Sequence, residues 1–236
     1  QMTWAVLGVT YLLVAAPIHF LVLGAPLKTP HKDNSPDRAL GSELTGSARR
    51  RGMFWMILSF VLSGYIAGAV MTLWVTNLQD LGHTAAMAAL AGAVIGPFKT
   101  VGRFFEMLIS RNMHPLTTYL LSLSFMIAGF LILLAVGFTI LGVVCAAALY
   151  GMGDGIKTIA RGTLPLALFG PTGYGARLGW ISFVQMGANA SAPFAFAWLT
   201  EVLGGWWSFA AMASLLLSAA LAYLWIPDPR KTDSAS

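Results

Sequence analysis

Residues Gly96 to Arg111 read GPFKTVGRFFEMLISR. Here a long apolar run ends in alternating basic and acidic residues. Lys99, Arg103 and Glu106 fall at i, i+4 and i+7, so on a helix they share one face. Gly96-Pro97 just before them can kink that helix. Charge is costly inside a bilayer, so a charged stripe closing an apolar run predicts a packed inner surface of a membrane bundle.

The composition places the whole chain in the same setting. Of 236 residues, 57% are hydrophobic and only 10% are charged, where soluble domains carry about 25%. The chain is therefore read as a polytopic membrane protein. Cys145 is the single cysteine, which excludes an intrachain disulfide. His19, His31, His83 and His114 are scattered without metal-ligand spacing, so no metal is expected. Gln1-Met2 runs straight into apolar sequence with no basic n-region or small-residue cleavage site. No signal peptide is read there, and the start reads as that of a fragment.

Seven apolar segments are each long enough to span about 30 Å of hydrocarbon at about 1.5 Å per residue. They are 2–24, 53–76, 85–109, 115–136, 139–161, 179–200 and 206–226. The expected fold is an all-α bundle of seven spanning helices. Residues 25–52, with Pro26, Pro30, Pro36 and Arg49-Arg50-Arg51, read as a flexible linker between membrane units. Residues 227–236 read as a disordered tail.

The charges orient the bundle. All fourteen Lys and Arg residues fall in the linker, at the junction that closes the third segment, around the loop after the fifth, or in the tail, which seven spans place on one side. The loops around 77–84, 137–138 and 201–205 carry none. The positive-inside rule makes the charged side cytoplasmic, so the chain starts outside and ends inside. This distribution also argues against a nucleic-acid partner; the lipid bilayer is the expected one. Trp4, Trp74, Trp198, Trp206 and Trp207 fall near outer ends, and Trp55, Trp180 and Trp225 near inner ends, as in an aromatic belt.

Small residues recur at close-packing spacing in Gly64/Gly68, Gly92/Gly96, Gly151/Gly155 and Gly175/Gly179, where plain helix packing is the favoured reading. The fifth segment has the sharpest polar stripe: Tyr150, Asp154, Lys157 and Arg161 at i, i+4, i+7 and i+11. A segment ending at Arg161 puts Asp154 about 10 Å inside the inner helix end. Lys157 and Arg103 are its candidate partners, and a structural ion pair is weighed against a gate or proton-coupling carboxylate. The sixth segment carries Ser182, Gln185 and Asn189 on one face, either as interhelical glue or as substrate contacts. Ala192-Pro193 favours a bend there. Ser59 and Ser63 are read mainly as bonding their own backbone. The fourth and seventh segments read as bland, lipid-facing helices. RGTLPLALFGPTGYGARLG, from Arg161, reads as a loop whose residues 164–169 lie at the inner interface. No phosphate-binding glycine loop, nucleophile–base pair or metal motif occurs, so neither an enzyme nor a cofactor is expected.

These motifs resemble the major facilitator superfamily of secondary transporters. Gly96–Arg111 resembles a degenerate copy of its signature loop G-x-x-x-D-R-x-G-R-R, keeping Gly96, Gly102-Arg103 and Arg111 but not the acidic residue. YGMGDGIKTIARGTLPLALFG is similar to the tenth-helix end and following loop of bacterial members. The resemblance covers the chain and says almost nothing of substrate. It implies the last helix of an N-terminal half (1–24), a cytoplasmic linker (25–52) and the six-helix C-terminal half of a major facilitator fold (53–226). Five further helices of that N-terminal half would be the partner. It implies alternating access on a small-molecule substrate, with proton coupling open, in a bacterial cytoplasmic (inner) membrane. Tyr65, Tyr150, Gln185 and Asn189 would line the substrate cavity. Lys99, Arg103, Glu106, Asp154 and Arg161 would form a cytoplasmic gate. A seven-helix receptor or sensor is the alternative that the topology alone admits. An intramembrane enzyme is disfavoured because paired catalytic groups are missing.

Overall fold

The structure is a computed structural model. It describes residues 43–109 and 113–229, together with 9, 13, 14 and 17. The chain divides into two compact units, Gln1–Ala39 and Leu40–Ser236. The expected first span falls in the former and lies outside the described residues, apart from those four positions.

Among the described residues the second unit holds six helices: α1 (Gly46–Asp80), α2 (Ala85–Ile109), α3 (Pro115–Val136), α4 (Ile140–Phe169), α5 (Tyr174–Leu203) and α6 (Gly205–Leu224). The expectation of seven spanning helices, as half of a major facilitator fold, is overturned. Among the described residues five helices are long and apolar enough to cross a membrane, and α5 is not among them. Arg177, Ser182, Gln185, Asn189, Ser191, Thr200 and Glu201 dilute its apolar run. The chain is a helical integral membrane protein.

Several helix starts follow from local chemistry. Thr84 Oγ1 accepts from the Met87 amide ahead of α2. His114 Nδ1 accepts from the Leu116 amide, with Pro115 opening α3. Thr139 Oγ1 accepts from the Gly142 amide at the start of α4. Two ends differ from expectation. α1 begins at Gly46, so Arg49-Arg50-Arg51 is helical rather than linker. α4 runs through Pro165 to Phe169, where the sequence predicted a loop. Tertiary contacts stabilise this extension. Leu164, Pro165, Leu168 and Phe169 are buried, and the Leu44 amide donates to Leu168 O. Arg177 donates to the carbonyls of Phe169, Gly170 and Thr172, satisfying the acceptors a helix end leaves free.

The packing follows an exchange. α1, which opens the first three helices, packs mainly on α5 and α6; α4, which opens the last three, packs mainly on α2 and α3. α5 lies parallel to α1, because Gln185 meets Gly64, Asn189 meets Gly68 and Thr200 bonds Asn77. α6 is antiparallel to α1, with Trp225 stacked on Trp55 and Phe209 against Trp74. Glycines bring each leading helix close to a partner. Gly64 and Gly68 face α5, and Gly151 and Gly155 face the backbone of α2 at Ile95 and Lys99. Gly96, Gly175 and Gly179 face open space and do not serve this role. Trp74 is buried and stacked on Tyr150, so it is a core residue and not part of an aromatic belt.

Candidate functional site

Asp154 stands near the middle of α4. Because α4 continues to Phe169, the carboxylate lies about 22 Å along the helix from that end, where a helix ending at Arg161 would put it about 10 Å. Each of its oxygens takes one ammonium. Lys99 Nζ is 2.5 Å from Oδ2, and Lys157 Nζ is 2.8 Å from Oδ1. The side chains of Asp154 and Lys157 are each 8% exposed, and that of Lys99 is 36% exposed. Lys157 also donates to the Ser63 carbonyl at 3.0 Å. Ser63 is the central residue of α1.

Arg103 is not the partner. It is exposed and forms no ion pair with a described residue. The helix approach explains this. Gly102 lies against the Met152 carbonyl and Gly155 against Lys99, so α2 presents Lys99 to Asp154. Arg103, about 100° beyond Gly102 around the helix, turns away. Glu106 is buried but makes no ion pair with a described lysine or arginine, so the expected gate stripe is divided. Arg161, seven residues after Asp154 on α4, donates from Nη2 to Ser182 Oγ on α5 at 2.6 Å.

The ion cluster is one end of a polar network reaching all six helices. The Ser63 hydroxyl meets Tyr119 Oη at 3.3 Å and donates to Phe60 O. Ser59 bonds Tyr119 Oη at 2.8 Å and the Ala219 carbonyl at 2.7 Å. Gln185 Nε2 donates to the same Phe60 carbonyl at 3.2 Å. The network thus runs from Lys99 on α2 through α4 and α1 to Tyr119 on α3, Gln185 on α5 and Ala219 on α6. Ser59 bonds across helices, against its expected self-capping. α3 and α6, read as bland, both contribute.

The four expected cavity residues do not come together. Tyr150 is buried between Trp74 and Phe130. Tyr65 packs on Phe196 and lines an open apolar cleft of about 320 Å³ with Trp198 and Leu215. Gln185 is buried against α1, and its Oε1 has no partner among the described residues. Asn189 is half-buried, and its Oδ1 is shielded and unpartnered. Its backbone carbonyl, released from helix bonding by Pro193, faces Gly68. α5 continues through Pro193. No group of three or more His, Cys, Asp or Glu residues suited to a metal occurs among the described residues.

No protein-family model matches the chain, and no curated protein matches it. The site therefore has to be read from its own chemistry. Sequence reasoning missed Tyr119, a single phenol in an apolar helix whose partners lie 56 and 60 positions away.

Proposed function

We propose that this chain is part of a secondary active transporter that moves a small solute by alternating access, of the major facilitator kind its motifs resemble. One observation carries the reading. A carboxylate shared by two lysines sits at the middle of a membrane-spanning helix, where the middles of α1 and α4 meet. Ionisable groups at such depth are costly and mark substrate or ion pathways. The exchange of leading helices between two three-helix segments supports the reading, because transporters built from internal repeats place their sites at the repeat interface. With the resemblance, the reading places the chain in a bacterial inner membrane. The remaining N-terminal half that the resemblance implies is the proposed partner.

Two-sided cysteine accessibility tests the proposal. Single cysteines near Ser63 and Asn189 should be reachable from either side, with the balance shifting on Asp154→Asn. Accessibility fixed to one side under all conditions would overturn alternating access.

A further inference from the structure

The start of α1 and the finish of α6 lie together. The two helices run antiparallel, and Trp55 of α1 stacks at 5.8 Å on Trp225, the residue that caps α6. Both are long and apolar enough to cross a membrane. Phe54 packs edge-on to Trp55 at 5.3 Å. Phe54, Trp225, Leu221 and Leu224 are each at least 60% exposed. On α6, Leu217, Leu221 and Trp225 recur every four residues and are all exposed, so an apolar stripe runs along the helix and ends in the stacked rings.

Arg50 and Arg51 stand one turn before this aromatic group. Arg50 precedes Phe54 by four residues and Arg51 precedes Trp55 by four, so each guanidinium leaves α1 on the face of the ring that follows it. Both arginines are exposed, and neither is in an ion pair with a described residue. Arg49 belongs to another face, that of Gly52, which is buried against Leu44 and Phe169. Glu43, just ahead of the helix, lies against Gly170. α1 supplies no anion of its own here: no acidic residue stands in its first turn, and Thr45 forms no side-chain cap. The free amides of the helix start carry the same sign as the guanidiniums.

Two features therefore adjoin, a pair of uncompensated guanidiniums and an exposed apolar stripe that begins at their feet. Guanidinium forks suit phosphate oxygens, and tryptophan rings settle at the headgroup level of a bilayer. A free phosphate would use the arginines and leave the stripe unused. A zwitterionic lipid would use the stripe but bring its own cation to the arginines. An anionic phospholipid satisfies both.

We infer that this end of α1 and α6 binds an anionic phospholipid, with its phosphate at Arg50 and Arg51, its glycerol region against Phe54, Trp55 and Trp225, and an acyl chain along Leu221 and Leu217. The inference stands apart from the transporter reading.

The full chain in mild detergent is titrated with dioleoyl phosphatidylglycerol or dioleoyl phosphatidylcholine, and bound lipid is counted by native mass spectrometry. A saturable site, about tenfold or more tighter for phosphatidylglycerol, is expected. Arg50→Gln combined with Arg51→Gln should weaken it about thirtyfold, which is about 2 kcal/mol for two basic residues at an anionic headgroup. Arg50→Lys with Arg51→Lys should recover most of that loss. Arg49→Gln, on the other face, should cost far less, and Trp225→Ala should weaken the site with both arginines in place. Should the double change to glutamine fail to fold, Arg50→Gln alone carries the test, with about fivefold expected. Sodium phosphate exchanged for sodium chloride at constant ionic strength should not displace the lipid. Displacement by phosphate would reveal a bare anion contact and overturn the inference. Equal affinity for the two lipids, an undiminished site in the arginine variants, or a loss with Arg49→Gln as large as with the pair would overturn it too.

Discussion

Lys157 donates from Nζ to the Ser63 carbonyl at 3.0 Å, so the middle of α4 is held to the middle of α1 by the same ammonium that neutralises Asp154. A helical carbonyl has a second lone pair, so this bond adds to the helix's own. Removing one partner of a buried pair costs about 3–5 kcal/mol. Lys157→Met should fall toward the lower end, because Lys99 still meets the carboxylate. Combined with Asp154→Asn, it should cost less than the sum of the single changes by about 0.5–3 kcal/mol. Chemical unfolding of the four proteins in detergent checks this, and strict additivity would disprove the coupling.

Lys99 and Arg103 make opposite predictions. Asp154→Asn should couple with Lys99→Gln but add with Arg103→Gln to within about 0.5 kcal/mol. A strong coupling to Arg103 in the same unfolding cycles would mean that the guanidinium replaces Lys99 in a second conformation.

The glycine contacts rank a mutation series. A Cβ at Gly155 would lie 2.2 Å from the Lys99 carbonyl, which is backbone and cannot move aside. At Gly64 it would lie 2.2 Å from Gln185 Nε2, the tip of a flexible side chain. Gly155→Ala should therefore cost about 1–3 kcal/mol and Gly64→Ala less, while Gly179→Ala, facing open space, should be neutral or slightly stabilising. Unfolding midpoints that place Gly64→Ala or Gly179→Ala below Gly155→Ala would contradict the packing described.

The orientation has a direct test. In a Cys145→Ala background, intact cells should label a cysteine placed at Asp80, the outer end of α1, with an impermeant reagent. A cysteine at Thr45 should label only after lysis. Labelling of position 45 from outside would reverse the topology.

The sequence located helices where local chemistry marks them. α2 and α3 begin and end where apolar length, Thr84 and His114-Pro115 place them. The extension of α4 was hidden, because what carries the helix past Pro165 comes from Leu44 and Arg177, remote from the loop signal of Leu-Pro and Gly-Pro. Asp154 was legible as a site. So was Lys157, one of its two candidate partners. The partner on α2 was not, since Lys99 and Arg103 share a helical face and only the closeness of Gly102 and Gly155 to their neighbours selects between them. Tyr150 shows the opposite limit. A mid-helix phenol reads as a cavity residue, yet two aromatic neighbours on other helices bury it.

The exchange of leading helices also sets the order of events during synthesis. α1 leaves the ribosome first among the described helices, but its main partners are α5 and α6. The Ser59–Ala219 bond closes across 160 positions, so at about 5–20 residues per second α1 waits roughly 8–30 s for that partner to be made. During that wait its Gly64/Gly68 face, which α5 will cover, meets only lipid, translocation machinery or a chaperone. Insertion, more than folded-state stability, is where a slowed or truncated chain of this design would fail.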